Sequence, residues 1–221
     1  MCNVRKLAQM AAYFLGRADG HTMEHVKLMK LMYLADRECM DQYWFPISYD
    51  EYYSMKMGPV LSMTLDLMSN NEGAEAQADW GEWVSTKKGN NVSLQKDGVS
   101  EGDLNEIADE EMAVMNKVFD AFGSWTMRAL IDYTHNELEE YEEVSGGRLE
   151  IPLKRIYEAL GKPAGEIDTT LRCLGCAKPN TASSPPTTAA AMLSRLANFH
   201  AVPPPHPGAY AEKIDAILNA R

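Results

Sequence analysis

Apolar residues near the start of the chain recur every three or four positions, the spacing of a helix that buries one face. This stripe predicts a first helix over residues 4–15, which Gly16 and then Asp19-Gly20 bring to an end. Its apolar members are Val4, Leu7, Ala8, Ala11, Ala12, Phe14 and Leu15.

A second apolar stripe runs from Val26 to about Met40 and is too broad for a single helix face. We therefore expect a central helix that its neighbours contact on several sides. Thr22 is the predicted N-cap, because its hydroxyl suits the free backbone N–H groups of a first turn. Pro46 disfavours helical geometry at Phe45 and predicts a break there.

The stretch YDEYYSMKMGPVLSMTLDLM, residues 49–68, predicts a joint between two helices. Asp50 is expected to cap a short turn, and Gly58 supplies backbone angles that other residues disfavour. Pro59 suits the first turn of a helix, where its missing N–H costs nothing. A third helix is accordingly predicted over residues 60–68.

Two β-prone runs, residues 80–86 and 91–95, flank the connection Lys87-Lys88-Gly89-Asn90 and predict a β-hairpin. An isolated hairpin is only marginally stable. We therefore expect Trp80 or Trp83 to pack it onto the helices.

The second half of the chain predicts three more helices. A long helix covers residues 104–122 after caps at 100–103, another is capped by Ser124, and a last one covers residues 153–160. The expected fold class is therefore mostly α (α+β), a compact bundle of about six helices with one small β-hairpin.

The composition changes after Ile167, where small residues and prolines replace the helical pattern. We expect a helical domain over residues 1–167. Residues 168–221 are expected to form a proline-rich linker and a tail of short amphipathic pieces that is loosely held or ordered only by a partner.

The formal net charge is −11 over 221 residues, and this excess of carboxylates repels phosphate backbones. Direct nucleic-acid binding is therefore not expected, whereas basic partners are favoured. No apolar run approaches the ~18 residues of a membrane span, and the first residues lack the apolar core of a signal peptide. A cytoplasmic location without membrane attachment is the expectation.

Two motifs suggest zinc chemistry. The segment His21-Thr22-Met23-Glu24-His25 matches H-x-x-E-H, in which two helical histidines hold zinc and Glu activates water. A cap at Thr22 would leave His21 outside the helix, so a zinc-dependent hydrolase is only a remote alternative. Cys173 and Cys176 form a lone C-x-x-C in a proline-rich context, and zinc binding there is left open. Otherwise no metal or cofactor is expected.

His135 lies in the acidic run YTHNELEEYEE, which suits a solvated helix face or acid–base chemistry. No nucleophile or metal partner is evident in the sequence, so packing or partner contact is favoured. Tyr52, Tyr53 and Lys56 offer a similar choice between core packing and binding, because tyrosine is a preferred interface residue.

Three segments, in this order, resemble the Panacea domain family, also called the SocA-like antitoxin domain: KLMKLMYLADR at residues 27–37, DEYYSMKMGPV at 50–60 and WTMRALIDYTH at 125–135. Family members carry a K-L-x-K-L-x-Y-x-A-D-like helix, a G-P-V joint and a later T-H. The resemblance covers roughly residues 3–162. A Trp often follows the T-H segment in the family, whereas Leu138 and Tyr141 stand there in this chain.

The resemblance implies a helical, cytoplasmic, prokaryotic or phage-borne antitoxin that neutralises a cognate toxin by direct contact. One relative is an adaptor that hands its toxin to a AAA+ protease, so a proteolytic adaptor is the alternative. No enzyme activity is expected. The predicted motif residues of structural importance are Lys30, Leu31, Gly58, Pro59, Val60 and Thr134. The predicted partner-binding residues are Tyr33, Asp36, Tyr52, Tyr53, Lys56, His135 and Tyr141.

Overall fold

The computed structural model describes residues 2–96 and 98–175, which form eight α-helices, two short 3₁₀ turns and five short strands. The helices are α1 (Val4–Gly16), α2 (His25–Tyr43), α3 (Ser62–Met68), α4 (Ala74–Gly81), α5 (Asp109–Phe122), α6 (Met127–Asn136), α7 (Leu153–Ala159) and α8 (Ala164–Cys173). The strands are β1 (Thr22–Glu24), β2 (Tyr52–Met55), β3 (Gly58–Leu61), β4 (Asn91–Ser93) and β5 (Leu149–Glu150). The expected mostly α (α+β) class is confirmed.

The chain divides into two units, Met1–Ile167 and Asp168–Arg221. The first unit contains all five strands and the helices through α7. Most of the predicted tail, including Cys176, lies outside the described residues.

Helix α2 is the centre of the first unit, as its broad apolar stripe predicts. Every residue from Leu28 to Met40 is buried. The helix contacts α1, α3, α5, α6, α7, β1 and β3. An element touched from so many directions buries polar residues along with apolar ones, so these polar residues need partners inside the domain.

The predicted N-cap at Thr22 is wrong. Thr22–Glu24 forms β1, which pairs antiparallel with β4, and Glu24 occupies the position before the first helical residue. The hydroxyl of Thr22 donates to Ser93 Oγ at 2.9 Å and to the carbonyl of Gly20 at 3.2 Å instead of capping α2. Pairing of Met23 with Val92 buries both side chains, and that burial outweighs the local cap.

The predicted helix–helix joint at Gly58-Pro59 is also wrong, because the two residues begin β3. Strands β2 and β3 form an antiparallel hairpin in which Ser54 faces Pro59 and Met55 faces Gly58. Pro59 occupies a non-hydrogen-bonded position of this pair, so its missing N–H costs no ladder bond. Helix α3 starts only at Ser62.

Asp50 caps a helix, although not the short turn predicted for it. Its Oδ1 accepts from the backbone N–H of Met63 and its Oδ2 from that of Thr64, both at 2.9 Å. The carboxylate thus satisfies two of the free N–H groups at the start of α3 from a position twelve residues before that helix.

The predicted hairpin around residues 80–95 exists only as isolated bridges, Val84 with Leu94 and Lys88 with Asn91. Trp80 belongs to α4 instead of a strand. Trp80 and Trp83 are both buried, although the hairpin that they were expected to pack onto the helices does not form as a regular one. The regular pairing partner of β4 is β1, far away in sequence, which local turn signals do not reveal.

The later helices follow the predicted order with shifted starts. Helix α5 begins at Asp109, and the side chain of Glu111 accepts from the N–H of Ala108 at 2.9 Å. Thr126 rather than Ser124 caps α6. Helix α7 matches the prediction, whereas the sequence pattern predicts neither β5 nor α8.

Candidate functional site: a buried junction of three sequence motifs

The three motifs of the family resemblance meet at the buried side chain of Lys30. This lysine extends from α2 to the β2–β3 hairpin, where its Nζ donates to the carbonyl of Pro59 at 2.7 Å. Thr134 of α6 is buried against the same corner of the hairpin. Residues from three distant parts of the chain therefore form one contact, which we call the motif junction: Lys30, Gly58, Pro59, Thr134, His135 and Tyr141.

Gly58 is required at this junction for two reasons. Its φ of +91° lies in a region that L side chains rarely adopt. A Cβ placed there would lie 2.7 Å from Thr134 Oγ1 and 2.8 Å from Lys30 Nζ. The glycine therefore allows the hairpin backbone to approach α2 and α6 more closely than any other residue permits.

The ammonium group of Lys30 is fully buried and takes part in no ion pair within the described residues. Burial alone lowers its pKa to about 7, because water stabilises the charged form and the interior does not. Near neutral pH the group is therefore a mixture of amine and ammonium. Both forms donate to Pro59.

His135 and Tyr141 cover the outer side of the junction. Their rings stack with centroids 4.5 Å apart and planes inclined by 21°. The Tyr141 hydroxyl donates to the carbonyl of Met55 at 3.1 Å. Burial, together with the nearby charge of Lys30, lowers the pKa of His135. Its Nε2 is buried without a hydrogen-bond partner in the part of the chain that the structure describes.

A second buried network lies further along α2, at Asp36. Its Oδ1 accepts from the N–H groups of Ile47 at 2.9 Å and Ser48 at 2.8 Å. Its Oδ2 accepts from the hydroxyls of Ser48 and Tyr52, the latter at 2.8 Å. Burial raises the pKa of Asp36 to about 6, although the hydrogen bonds from Ser48 and Tyr52 act in the opposite direction. The carboxylate fixes the segment that leads into the hairpin.

Arg37, the next residue of α2, contacts Glu140 in the interior. Its Nε donates to Glu140 Oε1 at 2.7 Å, and the Tyr33 hydroxyl donates to the same oxygen at 3.1 Å. Glu140 is completely buried and Arg37 is 5% exposed. This charge pair attaches the segment that follows α6 to the central helix.

Several of the predicted partner-binding residues are buried. Tyr33, Asp36 and Tyr52 are at most 3% exposed, and Tyr141 is 9% exposed with its hydroxyl directed to backbone. In this arrangement the first three have no surface for a partner, because their polar atoms are used inside the domain. Lys56 is exposed, and Tyr53 and His135 are partly exposed. Leu31, Val60 and Thr134 are buried, like the rest of the motif set.

Two exposed apolar residues near the hairpin are not among the residues that the sequence predicts to bind a partner. Met57, in the hairpin turn, is 47% exposed, and Leu149 of β5 is 42% exposed. Only the turn sequence Lys56-Met57-Gly58 could have signalled Met57. Strand β5 has only two residues, too few for a periodic pattern that would predict their exposure.

The structure does not form the helical histidine pair that H-x-x-E-H requires. His21 lies in a 3₁₀ turn with φ of +53°, and His25 is the first residue of α2. The Nδ1 atom of His25 lies 2.8 Å from the carbonyl of Asn90. Within residues 2–96 and 98–175 no group of three or more His, Cys, Asp or Glu side chains is placed to hold a metal. The C-x-x-C motif extends beyond the described residues.

The helices of the described part contain no segment that is both long and apolar enough to cross a bilayer.

The fold and the junction define a mostly helical α+β domain whose motif residues hold a β-hairpin against a central helix. The chain belongs to the antitoxin SocA-like, Panacea domain family, whose model matches residues 28–140, that is 113 of the 221 residues. No curated protein and no solved structure matches the chain. The matched region begins in α2 and ends at Glu140, so it contains the whole motif junction except Tyr141.

Proposed function

We propose that this chain is an antitoxin that silences a cognate toxin protein by direct contact, in the cytoplasm and without catalysis of its own. Membership of the SocA-like family supports the antitoxin part of the proposal. Neutralisation by direct contact is supported by the way in which the domain buries its polar motif side chains in its own hydrogen bonds.

The observation that carries the proposal is the burial of the motif residues in the domain's own hydrogen bonds. Lys30, Asp36 and Thr134 are fully buried, and all three make hydrogen bonds within the domain. A methyl group at Gly58 would already collide with its neighbours. Such a packed junction supports the surface around it, which is where a protein partner binds.

The charge of that surface favours a basic toxin. Glu137, Glu139, Glu142 and Glu143 are all exposed in the segment that follows α6. The whole chain has a net charge of −11, so the long-range field adds to the local one. Opposite charge accelerates encounter and selects partners more than it adds to final affinity.

Co-expression with the protein encoded by the neighbouring reading frame tests the proposal. Expression of that protein alone should stop growth, and co-expression of the full-length chain should restore it. The purified proteins should form a complex in size-exclusion chromatography. Growth arrest that the chain does not relieve, or relief without any complex, would contradict neutralisation by contact.

A matched pair of variants locates the surface. Glu139→Lys and Glu143→Lys together reverse two exposed charges near the junction, whereas Glu75→Lys and Glu82→Lys reverse two exposed charges on and beside α4. We expect the first pair to weaken rescue and the second pair to leave it unchanged. Equal loss with both pairs would indicate that only the net charge matters.

A further inference from the structure

The three-stranded sheet has one open edge. Its order is β3-β2-β5, and the outer side of β3 contacts α2 and α6. Strand β5 pairs only with β2 in the described part of the chain, and both of its residues are exposed. Within the described residues the sheet therefore has an edge at β5 that no further strand pairs.

The register shows which backbone groups point outward there. Tyr53 faces Glu150, Ser54 faces Leu149, and the N–H of Ile151 donates to the carbonyl of Tyr52 at 2.8 Å. In an antiparallel pair the hydrogen-bonded and non-hydrogen-bonded positions alternate. Glu150 therefore occupies a non-hydrogen-bonded position, and its own N–H and C=O point away from β2. Neither group therefore belongs to the β2–β5 ladder, and no turn or loop bond to either is present among the described residues.

The side chains along this edge combine apolar surface with negative charge. Leu149 at this edge and Met57 in the nearby β2–β3 turn are two of the four strongly exposed large apolar residues among those that the structure describes. Glu51, Glu143 and Glu150 are exposed and form no ion pair in the described part of the structure.

The arginines near this edge are already engaged. Arg148 lies over the Tyr53 ring, 4.7 Å from its centroid, and donates to Ser62 Oγ at 3.0 Å. Arg155 pairs with Glu142. Arg148 keeps its positive charge in these contacts, so three exposed carboxylates (Glu51, Glu143 and Glu150) and two cations (Arg148 and Lys56) lack an ion-pair partner here among the described residues. The balance of unpaired charge is negative.

We propose that the β5 edge receives an extended, basic segment of the toxin as a fourth strand. This inference rests on the proposed antitoxin function and specifies how the partner docks. Backbone bonds to Glu150 hold the added strand, and its alternate side chains meet the exposed apolar residues and the carboxylates. Pro152 has no N–H and lies immediately before α7, so the added strand ends there and the contact is short.

Glu150 offers a variant that removes the outward donor without breaking a bond of the fold. Glu150→Pro deletes an N–H that makes no bond in the described chain, and the preceding Leu149 is already extended, as a residue before proline requires. Glu150→Ala removes the same carboxylate but keeps the N–H. The difference between the two variants therefore reports the backbone bond alone.

The experiment measures affinity for the purified product of the neighbouring reading frame, by calorimetry, with full-length chains. Glu150→Pro should bind about tenfold more weakly than Glu150→Ala, the effect of one lost backbone bond. Hydrogen exchange at the Glu150 amide of the wild-type chain should slow in the complex. Glu75→Ala, on α4, should bind as the wild type does, and thermal melts should show that the variants are folded.

The outcomes separate the docking mode from the function. Wild-type binding with equal affinities for Glu150→Pro and Glu150→Ala, or with unprotected exchange at Glu150, would overturn strand addition and leave the antitoxin proposal standing. Failure of the wild-type chain to bind would overturn both. The exchange measurement needs no substitution, so it decides the matter even if Glu150→Pro does not fold.

Discussion

Lys30 Nζ lies 2.7 Å from the carbonyl oxygen of Pro59, a contact that joins the central helix to the β2–β3 hairpin. The lysine has no carboxylate partner in the described structure, although it is completely buried. Burial of an ammonium group without a counter-charge is expensive, and proteins usually respond by releasing its proton. The junction therefore has a measurable pH signature.

We expect the stability contributed by Lys30 to rise with pH above neutrality. The unfolded chain keeps this proton up to about pH 10.5, whereas the folded chain loses it above about pH 7. Between these values the unfolded state binds more protons, so the free energy of unfolding increases with pH. Lys30→Met should remove about 1–2 kcal/mol of the increase between pH 7 and 8.5, measured by chemical denaturation.

The exposed Lys56 provides the control for this experiment. Lys56→Met should retain the wild-type dependence on pH, because that side chain lies in solvent. An identical slope for Lys30→Met and the wild type would show that Lys30 stays charged when folded.

Gly58→Ala should destabilise the domain by about 2–4 kcal/mol, because it adds both backbone strain and a steric collision. Gly89→Ala is a matched control, since Gly89 also has a positive φ, +64°, but has open space around its Cβ position. That control should cost about 1 kcal/mol. Thermal or urea unfolding measures both, and equal losses would mean that Thr134 and Lys30 move aside to admit the added methyl group.

Glu140→Gln should cost about 3 kcal/mol in the free energy of unfolding, because it removes the carboxylate charge that faces the buried guanidinium of Arg37. The neighbouring Glu139 is exposed, so Glu139→Gln should change stability by less than about 0.5 kcal/mol. Urea titrations of the two variants make the comparison. A small effect at both positions would contradict the assigned importance of the buried pair.

His135→Phe should stabilise the domain by about 1 kcal/mol at pH 7, because it removes a buried ring nitrogen without a partner and keeps the stack on Tyr141. Tyr141→Phe should have the opposite effect, since it deletes the hydrogen bond to Met55. Thermal melts of both variants test the pair. Destabilisation by His135→Phe would indicate that His135 makes a polar contact of structural value.

Salt should slow toxin capture. Raising NaCl from about 50 to about 500 mM shortens the screening length, so the association rate should fall by about tenfold while dissociation changes less. Stopped-flow mixing with the neighbouring-frame protein gives both rates. An association rate that is independent of salt would contradict electrostatic steering by the acidic surface.

Helices that pack through one continuous apolar stripe are predictable from the sequence. Helices α1, α2 and α7 follow their stripes closely, because local spacing decides which side is buried. Pro59 is ambiguous, because its fixed φ suits the first turn of a helix and also an edge strand. The deciding factor is pairing with β2, which the local pattern does not contain.

The motif junction is predictable only in part. Family resemblance selects the residues that form the junction. Their spatial arrangement depends on long-range contacts: Lys30 and Pro59 are 29 residues apart, and Thr134 is still more distant in sequence. The broad apolar stripe of α2 predicts contacts on several sides, but it does not show which polar residues of the helix find partners inside the domain. Tyr33 and Asp36 are therefore predicted as partner contacts, whereas the helix uses them internally.

The pairing of Arg37 with Glu140 spans 103 residues, which has a consequence for the newborn polypeptide. The ribosome synthesises α2 well before Glu140, whose carboxylate contacts the Arg37 guanidinium of this helix in the folded domain. Burial of that charge without its carboxylate costs several kcal/mol, so we expect α2 to remain incompletely packed until Glu140 has been synthesised. We therefore expect the packing around α2 to be completed late in synthesis.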